Sequence, residues 1–215
     1  VESSWGGLAR YEEKKYQVDK LVYHTYSNHP DSLIRPTVKY QQKELTAGYS
    51  YRIKRDELSV PDFFVVSPAY FNRHYTERPG IVNDTNFQYQ HRTDLLGSIS
   101  FIRNDYYKSR YINNFGITED VPYGFNLSLT FGYELGEMVD RTYLGASLST
   151  GKYFEKFGYL YMITEAGSFI HNNSFEQGLV NLGLSYFSKL FSTRSDYRSR
   201  FSAGINYIAG LKRYS

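Results

Sequence analysis

The chain of 215 residues contains no cysteine, which excludes a disulfide framework, a thiolate zinc site and a cysteine nucleophile. It also lacks an excess of one charge, because 25 Lys and Arg residues stand against 22 Asp and Glu residues, a net charge of +3. That balance argues against nucleic acid as a partner held by bulk positive charge. No apolar run approaches the roughly 20 residues that a membrane-spanning helix needs.

Recognisable catalytic and metal-binding motifs are missing as well. The five histidines have no partner at a spacing such as HxxxH or HExxH, and no GxSxG, P-loop or GxGxxG occurs. We therefore expect no catalytic residue, no metal site and no cofactor. His171 and Ser174, in a polar turn, are the only residues that invite comparison with the nucleophile and base of a lipid hydrolase, and nothing supplies a third member.

Aromatic residues are abundant, since 23 Tyr, 15 Phe and 1 Trp make up 18% of the chain, and they favour strands over helices. Between residues 123 and 134, apolar and polar residues alternate strictly, which predicts a strand with one apolar face. Tyrosines end the apolar series and aliphatic residues fill its middle, the order expected across a bilayer. The alternation recurs over 197–211. The candidate lipid-facing residues are Tyr123, Phe125, Leu127, Leu129, Phe131, Tyr133, Phe201, Ile205 and Tyr207.

The opposite face of these strands carries small and polar residues, with a few charges among them. In a barrel this face lines the lumen, where charged side chains pair with one another or bias the passage of ions. A solvated interior is the plainer interpretation of the same charges. The candidate lumen-facing residues are Glu134, Arg198, Arg200 and Asn206.

Further alternating segments at 45–53, 95–103, 144–149 and 180–186 are separated by short polar connections in the second half of the chain. The pattern predicts an all-β fold, an antiparallel transmembrane β-barrel built as a meander, with roughly 8 to 12 strands. We assign 45–215 to the barrel strands and 1–44 to an irregular region of early strands or loop, with extended loops at 76–84 and 105–121. A soluble antiparallel barrel or sandwich is the alternative.

The ends of the sequence bear on completeness. The sequence begins with Val1 rather than Met, and no positively charged segment with an apolar run follows it. It ends in Lys212-Arg213-Tyr214-Ser215 rather than in an aromatic residue within a strand. We expect either a processed precursor or a segment of a larger barrel, and favour the segment.

The stretch 101–136 joins an aromatic and basic connection, which includes Asn114-Phe115-Gly116 and Thr118-Glu119-Asp120-Val121-Pro122, to an alternating strand that starts at a glycine. This stretch resembles part of the barrel of bacterial surface-antigen proteins, a superfamily that includes the outer-membrane assembly factors and the two-partner-secretion transporters. The following strands suit the same barrel, so the resemblance extends over 101–211. It implies insertion or translocation of polypeptides at the bacterial outer membrane, without covalent catalysis.

Three functions therefore stay open at the level of sequence. The first is the polypeptide-handling barrel, the second a passive porin-like or structural outer-membrane barrel, and the third an outer-membrane lipid-modifying enzyme. The expected partners are outer-membrane lipids and other outer-membrane or periplasmic proteins.

Overall fold

The computed structural model describes residues 3–17, 20–22, 32–34, 37–53, 61–81, 87–110, 118–154, 156–192 and 198–212. The strands are β1 (Ser3–Gln17), β2 (Lys20–Val22), β3 (Ser32–Ile34), β4 (Thr37–Ile53), β5 (Asp62–Glu77), β6 (Arg92–Arg110), β7 (Thr118–Gly136), β8 (Arg141–Phe154), β9 (Gly158–His171), β10 (Ser174–Ser188), β11 (Phe191–Ser192), β12 (Arg198–Ser199) and β13 (Ser202–Leu211). A single 3-10 turn, Phe87–Tyr89, interrupts them. Within those ranges no helix is long and apolar enough to cross a membrane.

Nine of these strands form one antiparallel sheet in the order β1-β4-β5-β6-β7-β8-β9-β10-β13. Strands that follow one another along the chain are neighbours in the sheet, while β2 with β3 and β11 with β12 form two small separate ribbons. The prediction of an all-β antiparallel meander is confirmed. The sheet is not closed among the described strands, because β1 and β13 are its two edges and do not pair with each other.

Adjacent rungs of the sheet have opposite chemistry, as the two-residue period predicts. One rung crosses all nine strands with apolar residues alone: Trp5, Tyr49, Val66, Ile99, Leu129, Ala146, Ala166, Val180 and Ala209. The next rung points to the other side and is mostly polar: Ser4, Ser50, Val65, Ser100, Ser128, Ser147, Glu165, Asn181 and Ile208. We call these two sides the apolar face and the polar face.

The apolar face is the exposed one. Among the described residues, 31 large apolar or aromatic side chains are exposed, and only six hydrophobic side chains are buried. The largest fully buried side chains are Arg141, Glu134 and Val38.

The strand β5 was not expected from the sequence, whereas β1 lies in 1–44, where early strands had been left open. Within the region for which early strands or a loop were open, β1 is a strand of 15 residues paired along its whole length with β4. β5 was missed because its first apolar residues are consecutive and Pro68 stands in its middle. The extended loop expected at 105–121 is wrong at both ends, since β6 and β7 remain paired out to Arg110 and Thr118. Its middle, 111–117, lies outside the described residues.

The connection between β9 and β10 is tighter than the expected span of 171–177. His171 pairs with Ser174, so only Asn172 and Asn173 form the loop, and both have positive φ angles, 47° and 57°. Two positive φ angles define the type I′ turn, which matches the twist of the flanking strands and accepts asparagine. The turn sets the pairing of His171 with Ser174, and the register between β9 and β10 then shifts by one residue between Glu176 and Leu179.

Candidate functional site

The candidate lipid-facing residues of β7 lie together on the apolar face. Tyr123, Leu127, Leu129, Phe131 and Tyr133 are exposed, and Phe125 is half-buried against the Phe101 ring, with ring centroids 5.6 Å apart. The series continues at the far edge, where Ile205 and Tyr207 of β13 are 69% and 61% exposed. Phe201 precedes that strand and packs 6.2 Å from the Tyr186 ring.

Strand geometry gives the height of this face on β7. Tyr123 and Tyr133 mark its two ends on β7 and are ten residues apart in sequence. At a rise of about 3.4 Å per residue they are about 34 Å apart, or roughly 26 Å along the membrane normal for a strand tilted by about 40°. The apolar band of outer-membrane barrels is about 25 Å tall.

An ion pair lies at the margin of the apolar face. The Arg103 guanidinium donates from Nε to Asp62 Oδ1 at 3.1 Å and from Nη2 to Asp62 Oδ2 at 3.0 Å, and it lies 5.2 Å from the Phe125 ring centroid. Two parallel hydrogen bonds satisfy the buried carboxylate, and the aromatic face covers the cation.

On the polar face, Glu134 and Arg141 form a buried ion pair. Their side chains are each 1% exposed, and Arg141 Nε donates to Glu134 Oε1 at 3.0 Å, with Nη2 donating to the same oxygen. Antiparallel pairing sets this contact, because Glu134 near the end of β7 lies directly opposite Arg141 at the start of β8. The four-residue connection between the strands thus brings opposite charges together.

More charges surround this pair. Arg92 Nη1 lies 3.8 Å from Glu134 Oε2, and Arg141 Nη1 lies 3.9 Å from Glu176 Oε2. The Arg141 guanidinium is sandwiched by aromatic rings, 4.1 Å from the Phe169 centroid and 5.1 Å from that of Phe87. We call this set, Arg92, Glu134, Arg141 and Glu176, the polar-face cluster. Aromatic stacking and opposite charges replace the water that these groups lose.

The connection between β5 and β6 folds over this end of the polar face. Residues 78–81 and 87–91, which we call the cap, pack Tyr89 and Ile81 against Val38, Tyr40 and Tyr75 in the main buried apolar cluster of the described chain. Phe87 of the cap covers Arg141. The cap therefore covers the polar face at this end of the sheet.

A second ion pair fastens the cap to the connection between β7 and β8. Arg78 donates to both carboxylate oxygens of Glu137, at 2.6 and 2.8 Å, and the His91 backbone N–H donates to the same carboxylate at 3.1 Å. The hydrogen bonds from Arg78 are the main reason that the pKa of Glu137 falls from its ordinary 4.5 to about 2. The pair locks two connections that are far apart in sequence.

His91 is held in its neutral form. Desolvation is the main cause that lowers its pKa, followed by the charge of Arg78. Its Nδ1 accepts a hydrogen bond from the Tyr75 backbone N–H at 3.0 Å, and its ring stacks on His74 with centroids 4.1 Å apart. A protonated Nδ1 could not accept that bond.

The structure does not bring the candidate lumen-facing residues together. Glu134 lies in the polar-face cluster, whereas Asn206 lies in the middle of the edge strand β13, opposite Gly183 on the polar face. Arg200 lies between β12 and β13, outside both strands, because the expected strand over 197–211 begins only at Ser202. Arg198 belongs to β12 in the small separate ribbon, and its side chain lies outside the described residues.

The histidine and serine considered for a lipid hydrolase bond to other groups. His171 Nδ1 lies 3.1 Å from the Asp140 carbonyl oxygen, its Nε2 lies 2.9 Å from Asn172 Nδ2, and Ser174 Oγ accepts from Lys212 Nζ at 3.2 Å. In the part of the chain that the structure describes, no three His, Asp or Glu side chains are grouped as metal ligands.

The sequence pointed to Glu134 but not to its ion-pair partner Arg141, nor to Phe87, which covers Arg141. Arg141 stands just outside the alternating segment assigned to 144–149, and its pairing with Glu134 follows only from the turn between the strands. The sequence contains one signal for this pair, because Glu134 precedes the short polar connection between β7 and β8 and Arg141 follows it. Nothing in the sequence indicates that Phe87 lies on Arg141.

No known protein family, curated protein or solved structure matches the chain. The resemblance to the surface-antigen barrel therefore stays a prediction.

Proposed function

We propose that this chain forms wall strands of a bacterial outer-membrane β-barrel and acts on polypeptides at the seam between its edge strands, without covalent catalysis. The observation that carries the proposal is the sheet of inverted polarity, which is open between two edges that run in the same direction.

The inverted polarity favours lipid as the solvent of the apolar face. Burying one large apolar side chain contributes about 1.5–3 kcal/mol, whereas a whole domain is stable by only about 5–15 kcal/mol. A water-soluble fold that leaves 31 such side chains exposed would lose more burial free energy than the total stability of a typical domain. Strands cross lipid only in closed barrels, and barrels of this kind are typical of the bacterial outer membrane.

The strand count supports an action on polypeptides. Nine strands, each antiparallel to its neighbours, leave β1 and β13 running in the same direction. Direct closure of β1 on β13 would create one parallel seam in an otherwise antiparallel sheet. One added strand of opposite direction would instead pair antiparallel with both edges. A client segment can supply that strand. Its backbone would then form hydrogen bonds with the unpaired N–H and C=O groups of the two edge strands, which lipid cannot do.

The expected partners follow from this arrangement. Lipids of the outer membrane contact the apolar face, and outer-membrane or periplasmic proteins supply or deliver the added strand.

A passive pore is the second candidate function, because serines dominate the polar rung that includes Ser50, Ser100, Ser128 and Ser147. Small hydroxyl side chains leave room for water and small solutes. The cap and the polar-face cluster would then set the narrowest point.

Reconstituted vesicles that contain the full chain separate the two functions. A photo-crosslinking residue replaces Asn206 on the β13 edge, and Ser147 in the middle of the sheet is the matched control on the same face. An unfolded outer-membrane barrel precursor is the probe. We expect crosslinks to the precursor from position 206 and none from position 147. Equal crosslinking at both positions, or none at either together with a steady single-channel conductance, contradicts the polypeptide function and supports the pore.

A further inference from the structure

The side chain of His91 joins the cap to the end of β5. The pairing of β5 with β6 ends at Arg73 and Arg92, so no residue of the described β6 strand accepts the backbone N–H of Tyr75. The imidazole of His91 takes the place of that missing carbonyl, since its Nδ1 accepts the Tyr75 N–H at 3.0 Å. Tyr75 is buried, so the closed position of the cap relies on an acceptor that only a neutral imidazole offers.

The groups around the His91 ring come from three elements. From β5, the His74 ring stacks on it with centroids 4.1 Å apart and planes inclined by 12°. Desolvation lowers the pKa of His91, and the Arg78 cation of the cap lowers it further. From the β7–β8 connection, Glu137 acts in the opposite direction, but its Oε2 accepts from Arg78 and is 3.9 Å from His91 Nε2. Arg92, next in the chain, belongs to the polar-face cluster instead.

Uptake of a proton by His91 breaks the contact with β5. An imidazolium donates from both nitrogens, so its Nδ1–H would face the Tyr75 N–H, two donors without an acceptor. The new charge would also stand beside Arg78. When the cap is away from β5, the ring is in water and titrates near its ordinary pKa of 6.5. Because the released form binds the proton more tightly, a falling pH shifts the equilibrium toward release.

The second attachment of the cap survives this change. Glu137 stays ionised throughout the range in which a histidine titrates, because the hydrogen bonds from Arg78 lower its pKa to about 2. The backbone of His91 also remains bonded to Glu137, since its N–H donates to Oε2 at 3.1 Å and its carbonyl accepts the Glu137 N–H at 3.0 Å. The cap therefore remains tied to the β7–β8 connection while it leaves β5.

We propose that the cap is a lid over this end of the polar face and that acid releases it from β5 through protonation of His91. Near neutral pH the lid is closed. In mild acid it separates from β4 and β5, uncovers the buried cluster of Val38, Tyr40 and Tyr75, and opens this end of the polar face. This regulation goes beyond the proposed function and requires neither lipid on the apolar face nor a client strand.

A single spin label on the cap measures the release, because the chain has no cysteine of its own. Gln88→Cys, at an exposed residue of the cap, carries a nitroxide whose mobility is measured by electron paramagnetic resonance in detergent micelles. A difference of one pKa unit between the two forms changes their ratio about tenfold, so we expect the mobile fraction to rise several-fold from about pH 7.5 to about pH 5. The same label at the exposed Thr142 of β8 should not change, which shows that the sheet stays folded.

Substitutions identify the group that titrates. His91→Asn offers an amide oxygen to the Tyr75 N–H and cannot gain a proton, so the cap should stay closed at both pH values. His171→Asn, at the turn between β9 and β10, is the matched control and should keep the full response. His74→Gln should also keep a response, because His74 does not accept the Tyr75 N–H. A response that persists in His91→Asn, or one that is lost in His74→Gln alone, overturns the proposal.

Nitrogen NMR of the wild-type imidazole gives the answer even if His91→Asn fails to fold or leaves the cap released at both pH values. We expect His91 to titrate at the pH at which the label becomes mobile. A His91 that gains its proton while the cap stays closed contradicts the lid, as does a cap that is released while His91 remains neutral. None of these outcomes bears on the proposed function, because neither lipid nor a client takes part.

Discussion

The ion pair between Glu134 and Arg141 shows how single residues stabilise the polar face. Both groups have lost nearly all contact with solvent, and each is compensated by the other and by flanking groups, Arg92 on one side and Glu176 on the other. A buried ion pair adds little net stability compared with apolar residues of the same size, but the loss of one partner leaves the other charge uncompensated.

Glu134→Gln should therefore destabilise the protein by about 3–5 kcal/mol, because Arg141 stays buried without its counter-charge. Urea unfolding of the purified chain measures the loss. Glu77→Gln removes a carboxylate from the exposed pair with Lys39 and should cost less than about 1 kcal/mol. Replacing both partners, as Glu134→Leu with Arg141→Met, should recover most of the loss. Equal effects of the two single substitutions would show that the buried pair has no special role.

Glu137 makes the cap sensitive to acid. Its pKa is about 2 in the folded protein and close to 4.5 in the unfolded chain, so the carboxylate form is favoured by folding. The resulting stability is fully present above about pH 4.5 and disappears as the pH falls toward 2. Arg78→Gln should return the pKa of Glu137 toward 4.5, because Arg78 supplies the strongest hydrogen bonds. Carbon NMR of the Glu137 carboxyl group measures this shift, and Arg10→Gln on distant β1 should leave it unchanged.

At the scale of the element, β7 offers the sharpest comparison between the two faces. Leu129 and Ser128 are neighbours near the middle of the strand and point to opposite sides. Leu129→Arg should cost about 2–4 kcal/mol, the penalty for a cation at the midplane of a bilayer. Ser128→Arg should cost clearly less, because a lumen-facing cation keeps its water. Folding into lipid vesicles at increasing urea compares the variants, and equal costs for the two substitutions would contradict the difference between the faces.

The turn at Asn172–Asn173 makes a second prediction for an element. Asn173→Gly should change stability by less than about 0.5 kcal/mol, because glycine is favoured at this position of a type I′ turn. Asn173→Val should cost about 1–2 kcal/mol, because a β-branched residue resists positive φ. The same urea unfolding measures both, and a neutral valine variant would contradict the turn type.

Strands with a regular period could be predicted from the sequence, and those that depend on a neighbour could not. The alternation of 123–134 follows from the requirement that each face meet one kind of environment. β1 contains adjacent glycines and a Glu12-Glu13 pair, so it has no such period and is a strand because β4 pairs with it. The cap could not be predicted from the sequence for a related reason. Its aromatic residues are buried by β4 and β5, which are distant in sequence.

At the scale of the whole molecule, the exposed surface is unusually large. The chain exposes 15063 Å², whereas a compact monomer of 25.1 kDa would expose about 10,000 Å². The sheet contributes to this excess, because it is open among the described strands and its apolar face is largely exposed.

We therefore expect the native protein to sediment with the outer membrane and to remain there after washing with urea, which removes peripheral proteins. Immunoblotting of separated inner-membrane, outer-membrane and soluble fractions measures this distribution. Recovery in the soluble fraction would contradict the proposed function and favour a soluble sandwich or barrel.

The hairpin of β6 and β7 extends well past the rest of the sheet. β5 stops pairing with β6 at Arg103 and β8 stops pairing with β7 at Gly124, yet the two strands of the hairpin stay paired as far as Arg110 and Thr118. The seven residues from 104 to 110 reach about 24 Å past that point. Over this length no neighbouring strand of the described sheet pairs with the ribbon. Because no neighbouring strand constrains it, we expect this ribbon to diverge fastest in evolution.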